Sequence, residues 1–151
     1  MKKICRIIFI LFLFSACSPQ PSPIEYGADM CDYCKMTIVD ARHAAELVTD
    51  KGKVFKFDAI ECLLPFRNES DQSFAFILVN DFAEPGELID ATSSTYLISR
   101  AIPSPMGAYL SAFSRSEVAK EIQRDKGGAL YDWNGINEKF LNDGLAGYQI
   151  N

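Results

Sequence analysis

Between positions 30 and 36 the chain reads Met30-Cys31-Asp32-Tyr33-Cys34-Lys35-Met36, a run that holds four of the six sulfur side chains following Cys17. Thiolate and thioether together favour a soft ion such as Cu(I), whereas zinc takes thiolate with imidazole and calcium or magnesium takes oxygen. The other methionine beyond the initiator is Met106, in the loop Pro103-Ser104-Pro105-Met106-Gly107. Two remote segments are therefore expected to close one site. If Cys34-Lys35-Met36 is extended, Cys34 and Met36 project to one side and Lys35 to the other, leaving a thiolate and a thioether as a half-site for Met106 to complete. Cys31 is a further candidate ligand. Its alternative is a disulfide with Cys34, structural or redox-active.

The remaining polar and sulfur residues read more plainly. Cys62 falls on an apolar helix face and is expected to be a small buried hydrophobe. His43, the sole histidine, sits between Arg42 and Ala44 and is expected at the surface, and one histidine rules out Cys2His2 or His-rich zinc sites. Asp58 reads as a helix cap. A c-type haem is excluded because Lys35 stands where histidine would follow the second cysteine, and the βαβ context of a thioredoxin-like motif is missing. Neither a Gly-x-Ser-x-Gly nucleophile motif nor a phosphate-cradling glycine loop occurs, so the chain does not read as an enzyme.

The elements that must position these sulfurs follow an export signal. Lys2, Lys3 and Arg6 precede the apolar run 7–14, and Ser15-Ala16 precede Cys17. Residues 1–16 thus read as a lipoprotein signal peptide, with Cys17 as the lipidated residue and the cell envelope, facing the periplasm, as the destination. Removing those three cations leaves 12 basic against 20 acidic side chains, a formal charge of −8, which argues against nucleic-acid binding. An exported thiol meets oxidants, yet Cys31, Cys34 and Cys62 are an odd number and cannot all pair within the chain.

Residues 17–28, with three prolines, read as a tether, and residues 29–151 as one α+β domain with approximate halves 29–85 and 86–151. In the first half, 44–48 and 54–57 form a β-hairpin around a Thr-Asp-Lys-Gly-Lys turn. Asp58 caps a short helix with Glu61 three positions on, Pro65 limits or kinks that helix, and 73–80 is the clearest strand. The second half repeats the order: strand 95–99, the proline loop, strand 108–113, a helix ending at Gly127-Gly128, and strand 129–133. Phe57-Asp58-Ala59-Ile60-Glu61 matches Phe113-Ser114-Arg115-Ser116-Glu117, so two ββαβ units are expected. A further short helix is placed at 137–141.

Taken together, Cys31-Asp-Tyr-Cys34-Lys-Met36, Val48-Thr-Asp-Lys-Gly-Lys-Val-Phe-Lys-Phe-Asp58 through Cys62-Leu63, and Ser104-Pro-Met106-Gly107 with Ala112-Phe113 and Gly127-Gly128 resemble the NosL family of copper-binding lipoproteins. The resemblance implies paired ββαβ units, Cu(I) held by Cys34 and Met106 with Met36 close by, and delivery of copper to nitrous oxide reductase. Family members commonly carry glycine between the cysteine and methionine. Lysine at position 35 instead favours ordinary extended backbone over a left-handed turn. The alternative function is a thiol–disulfide protein that uses Cys31 and Cys34 to keep a partner reduced.

Overall fold

The computed structural model describes residues 18–143; the stretch expected as a signal peptide, Cys17 and the last eight residues lie outside them. The first half contains β1 (Ala45–Thr49), β2 (Val54–Phe57), α1 (Ile60–Glu69) and β3 (Phe74–Asn80). The second contains β5 (Thr95–Ile98), β6 (Leu110–Phe113), α2 (Ser116–Lys126) and β7 (Ala129–Tyr131), and α3 (Trp133–Asp143) follows. Between the halves lie a short edge strand, β4 (Leu88–Asp90), and a 3-10 turn, Ala91–Ser93, capped by the Asp90 carboxylate. Among the described residues no helix is long and apolar enough to cross a membrane.

The two sheets run β2-β1-β3-β4 and β6-β5-β7, all antiparallel. In each half the first strand lies between the second and third, so the ββαβ order in sequence becomes the same spatial order twice. The α+β architecture and its repeat agree with the sequence reading. The halves join where Asp81 forms a parallel bridge with Ala112 and the Phe82 N–H donates to the Ala112 carbonyl at 2.8 Å. Ser114 also donates to the Asp81 carboxylate through its hydroxyl and its backbone N–H.

Alternation assigns the faces of the first sheet. Leu47 pairs with Phe55 and Ala45 with Phe57, and directly opposed residues share a face. Phe55 and Phe57 stack against Phe66 of α1, so this is the helix-covered face. Glu46 and its partner Lys56 occupy the other face. Every residue of β1 is nevertheless buried. Residues 19–29 supply the second cover: the Ser22 N–H donates to Glu46 at 3.0 Å, Lys56 Nζ donates to the Pro23 carbonyl and to Asp29, and Ile24 enters the core. The segment expected as a tether is laid along the sheet because Glu46 and Lys56 need polar partners, and this segment provides them through the Ser22 N–H, the Pro23 carbonyl and the Asp29 carboxylate.

Several local expectations fail for identifiable reasons. Helix α1 continues through Pro65 to Glu69, since a proline removes one N–H but the flanking turns still pair and the apolar face still packs. The N-caps are Ala59 and Arg115, neither with a side-chain cap, so Asp58 and Ser114 stand one residue outside the helices and bond elsewhere. Strand β7 stops at Tyr131 because Asp132 turns the chain into α3, accepting the Gly135 N–H on its carboxylate at 2.7 Å and the Ile136 N–H on its carbonyl at 3.0 Å. Trp133 therefore opens a helix, packs against Tyr96, and receives the Arg67 guanidinium over its ring.

His43 is buried, not at the surface. Its Nδ1 pairs with Asp40 at 2.9 Å, its Nε2 lies 3.3 Å from the Ser111 hydroxyl on β6, and Phe82 presents a ring edge. With both ring nitrogens occupied, it links the halves.

At the end of α2 the two glycines differ in what constrains them. Gly127 (φ +70) faces open space, whereas a Cβ on Gly128 (φ +106) would lie 2.2 Å from the Ile98 carbonyl oxygen. Gly127→Ala should cost only the strain of its backbone, roughly 1–3 kcal/mol. Gly128→Ala should cost clearly more, because the obstacle is backbone of β5 and cannot move aside. Urea unfolding of the two variants checks this, and equal losses would contradict it.

Candidate metal centre

Strand β2 is an edge strand, and its free side is taken up by the sulfur-rich segment. The Asp32 N–H donates to the Lys56 carbonyl at 2.8 Å, and the Lys56 N–H donates to the Asp32 carboxylate at 2.8 Å. Residues 30–37 close on themselves through a Met30–Thr37 bridge, a Cys31 N–H to Met36 carbonyl bond of 2.8 Å, and a Lys35 N–H to Cys31 carbonyl bond of 3.0 Å. Lys35 has φ +65, so Cys34-Lys35-Met36 is a left-handed turn and not an extended run. Bonds on both sides of the turn fix its backbone, which over-determines a conformation lysine otherwise avoids. The Lys35 ammonium goes to the Asp32 carbonyl at 2.5 Å.

This turn carries Cys31 and Cys34 to the end of β2, where Asp58 and the first turn of α1 follow. Asp58 and Cys62, four residues apart around the start of α1, lie on its near side. One donor atom from each of Cys31, Cys34, Asp58 and Cys62 lies within 4.8 Å of the others. A metal–sulfur bond of about 2.3 Å separates two ligands on one ion by roughly 3.8 Å in tetrahedral and 4.6 Å in linear geometry. The cluster is thus nearly of ligand-set size. Cys31, Asp58 and Cys62 are buried; Cys34 is half-buried and forms the opening.

The thiols are not equivalent. The Cys62 thiol hydrogen bond and the N–H groups of Asp58, Cys34 and Tyr33 draw the Cys31 pKa down to about 6, against the opposing effect of burial. Cys31 is therefore the thiol of the group that gives up its proton most readily. Cys62 is pushed far up, first because its proton is held on the Cys31 sulfur and then by burial. Cys34 is pushed up to about 11, chiefly by burial, with its hydrogen bond to Cys31 and the nearby Asp58 carboxylate adding to the effect. Its thiol donates to Asp58 Oδ1 at 3.4 Å. Three sulfurs and a carboxylate arranged this closely form a soft donor set for a cation that can displace thiol protons.

Met106 belongs to a loop tied to the same helix. The Ser104 hydroxyl donates to the carboxylate of Glu61, the residue before Cys62, and accepts the Tyr109 N–H at 2.8 Å. Gly107 (φ +79) and Tyr109 (φ +60) give the loop its tight return. Met106 is half-buried and packs on the core that contains Cys31 and Cys62, against which Cys34 also packs. Met36 stands outside this group and is 55% exposed, as Met30 is at 59%.

The structure thus assembles Cys31 and Cys34 with two residues, Cys62 and Asp58, that the sequence reading assigned to packing and capping. The usable signal was their spacing of four, directly after a strand.

The chain is similar to proteins named for copper. The NosL family profile matches residues 23–141. The copper-binding lipoprotein NosL of Stutzerimonas stutzeri is 26% identical over 130 residues, spanning 80% of this chain and 68% of that protein. The crystal structure of the copper chaperone NosL from Shewanella denitrificans shares the fold, with a TM-score of 0.67 at 22% identity over 76% of this chain and 93% of that one.

Burial raises the Glu61 carboxyl from 4.5 to about 7, opposed by the Ser104 hydrogen bond, and one of its oxygens has no partner. The folded chain holds this proton more tightly than the unfolded chain, so its contribution to stability is full below the unfolded pKa and is lost as pH rises towards 7. The gap corresponds to roughly 3 kcal/mol. Glu61→Gln should flatten the fall in unfolding free energy across that window, as measured by denaturant titration at several pH values. An unchanged slope would contradict the assignment.

Proposed function

The chain belongs to the NosL family, and from that premise we propose that it is a lipid-anchored carrier that binds one Cu(I) and passes it by ligand exchange to an exported copper enzyme, nitrous oxide reductase. Its relatives are named for copper binding and copper chaperoning, and one is named a lipoprotein. Anchoring is through Cys17, on the periplasmic side of the envelope. The role is that of a carrier, not a catalyst.

The observation that carries this reading is the sulfur cluster open at one point. In this reading Cys31 is the sulfur that ionises most readily, Cys62 stands opposite it, Cys34 loses its proton at the opening as the ion arrives, and Met106 is the thioether offered from the loop held by Glu61 and Ser104. Thiolate plus thioether selects the monovalent ion over zinc, and the only imidazole in the chain is engaged by Asp40 and Ser111. The exposed Met36 is the thioether placed to meet the ion as it enters and leaves. Transfer moves a closed-shell ion between ligand sets, so no electron changes hands.

The thiol–disulfide reading fits less well. A thiol that attacks partner disulfides needs a low pKa at an accessible sulfur. Here the low pKa belongs to the fully buried Cys31, and the half-exposed Cys34 is raised.

Anaerobic competition of the reduced protein with a Cu(I) chelator tests the proposal. The expected result is one tightly held ion, lost in Cys34→Ser and weakened in Met106→Ile. Unchanged affinity in both variants would rule the site out. Ser104→Ala, which frees the loop without removing a donor, should weaken binding by about 10-fold, the usual effect of losing a group that orients a ligand.

A further inference from the structure

The N-terminal segment is fixed along the first sheet from the β1–β2 turn onward. Pro19 lies against the β1–β2 turn: a Cβ on Gly52 would sit 3.9 Å from the Pro19 Cα. From there residues 19–29 cross the outer face of the first sheet, fixed by Ser22 to Glu46, by Lys56 to the Pro23 carbonyl and Asp29, and by buried Ile24. The chain therefore leaves the domain at the turn, and the two residues from Cys17 to Pro19 reach at most ~7 Å. That is too short to lift the domain away from the lipid or to let it turn over.

We propose that the end of the domain formed by the β1–β2 turn and the loop before β3 rests on the surface of a phospholipid bilayer, with the sulfur cluster facing away from it. The proposal rests on the lipid-anchored reading of Cys17 given above. Asp58 lies six residues along β2 from Gly52, which at strand spacing puts the cluster roughly 20 Å from the resting surface. The chemistry of the two ends agrees. Asp50, Lys51, Lys53, Asn68, Asp71 and Gln72 are exposed at the turn end, a charged and polar surface suited to headgroups and not to acyl chains. Three of the exposed large apolar side chains, Met30, Met36 and Val39, lie in the loops at the far end, which lead into β1 or flank the end of β2, while Tyr26 lies in the N-terminal segment and Leu141 on α3. A partner approaching from the aqueous side meets these thioethers first.

The test uses the full lipidated protein in phospholipid nanodiscs doped with a nickel-chelating lipid. A nitroxide is attached through a ketone-bearing amino acid at position 51 in one sample and position 39 in another, leaving the thiols untouched. Nickel should relax the label at 51 several-fold more strongly than the label at 39. Equal or reversed relaxation, with acylated Cys17 confirmed by mass spectrometry, overturns the orientation and leaves the anchor intact. An unacylated Cys17 overturns the anchored reading and the orientation with it. In a variant carrying Ser22→Pro and Ile24→Asp, shown to be folded by circular dichroism, the contrast between the two positions should fall. A folded variant that keeps the full contrast would mean that the strap does not set the orientation.

Discussion

The paired hydrogen bonds between Asp32 and Lys56 are the constraint on which the centre depends. The sulfur-rich loop packs on the core through Cys31, Tyr33 and Cys34, contacts that do not by themselves set its register, and an edge strand has unpaired backbone groups that need partners. Joining the two sets the loop's register on β2, and that register places Cys31 beside Asp58 and Cys62. The thiol of Cys62 and the N–H of Asp58 then favour the ionised form of Cys31 in a buried place where a charge is otherwise costly. Cys34 completes the group from the half-exposed side of the same turn.

The duplicated ββαβ unit divides the labour between its copies. In the first, the residue before the helix N-cap is Asp58, which faces the sulfurs; in the second it is Ser114, which bonds Asp81 and joins the halves. The hairpin connections differ just as much. Four residues separate β1 from β2, where the chain lies against Pro19, but eleven separate β5 from β6. The added length lets the second connection reach back to Glu61 and bring Met106 onto the shared core. One copy supplies the cysteines, and the other supplies a frame and a loop.

Periodicity made most of this fold legible. Strands β1, β2, β3, β5 and β6 alternate or run apolar over a strand's length, and the aromatic–polar–x–x–Glu pattern recurs at both helix starts, so the repeat could be read directly. Elements too short to repeat a pattern, such as β4 and the 3-10 turn at Ala91–Ser93, leave no such signal. Other departures came from tertiary context. Glu46 and Lys56 drew the proline-rich segment onto the sheet, Asp132 ended a strand that Trp133 could have continued, and hydrogen bonds held Lys35 left-handed. Cys62 was hidden for a different reason: on an apolar helix face, a cysteine that packs and a cysteine that donates its sulfur have the same neighbours in sequence. Only the fold, by placing Cys31 opposite, distinguishes them.

Copper K-edge X-ray absorption of the reduced, Cu(I)-loaded protein bears most directly on the claim that thiols of the first ββαβ unit form the centre. A first shell made of sulfur alone, which loses a sulfur donor in Cys62→Ser, is the predicted result. A shell with imidazole scattering, or one that the Cys62 substitution leaves unaltered, would contradict the account and move the ion elsewhere in the molecule.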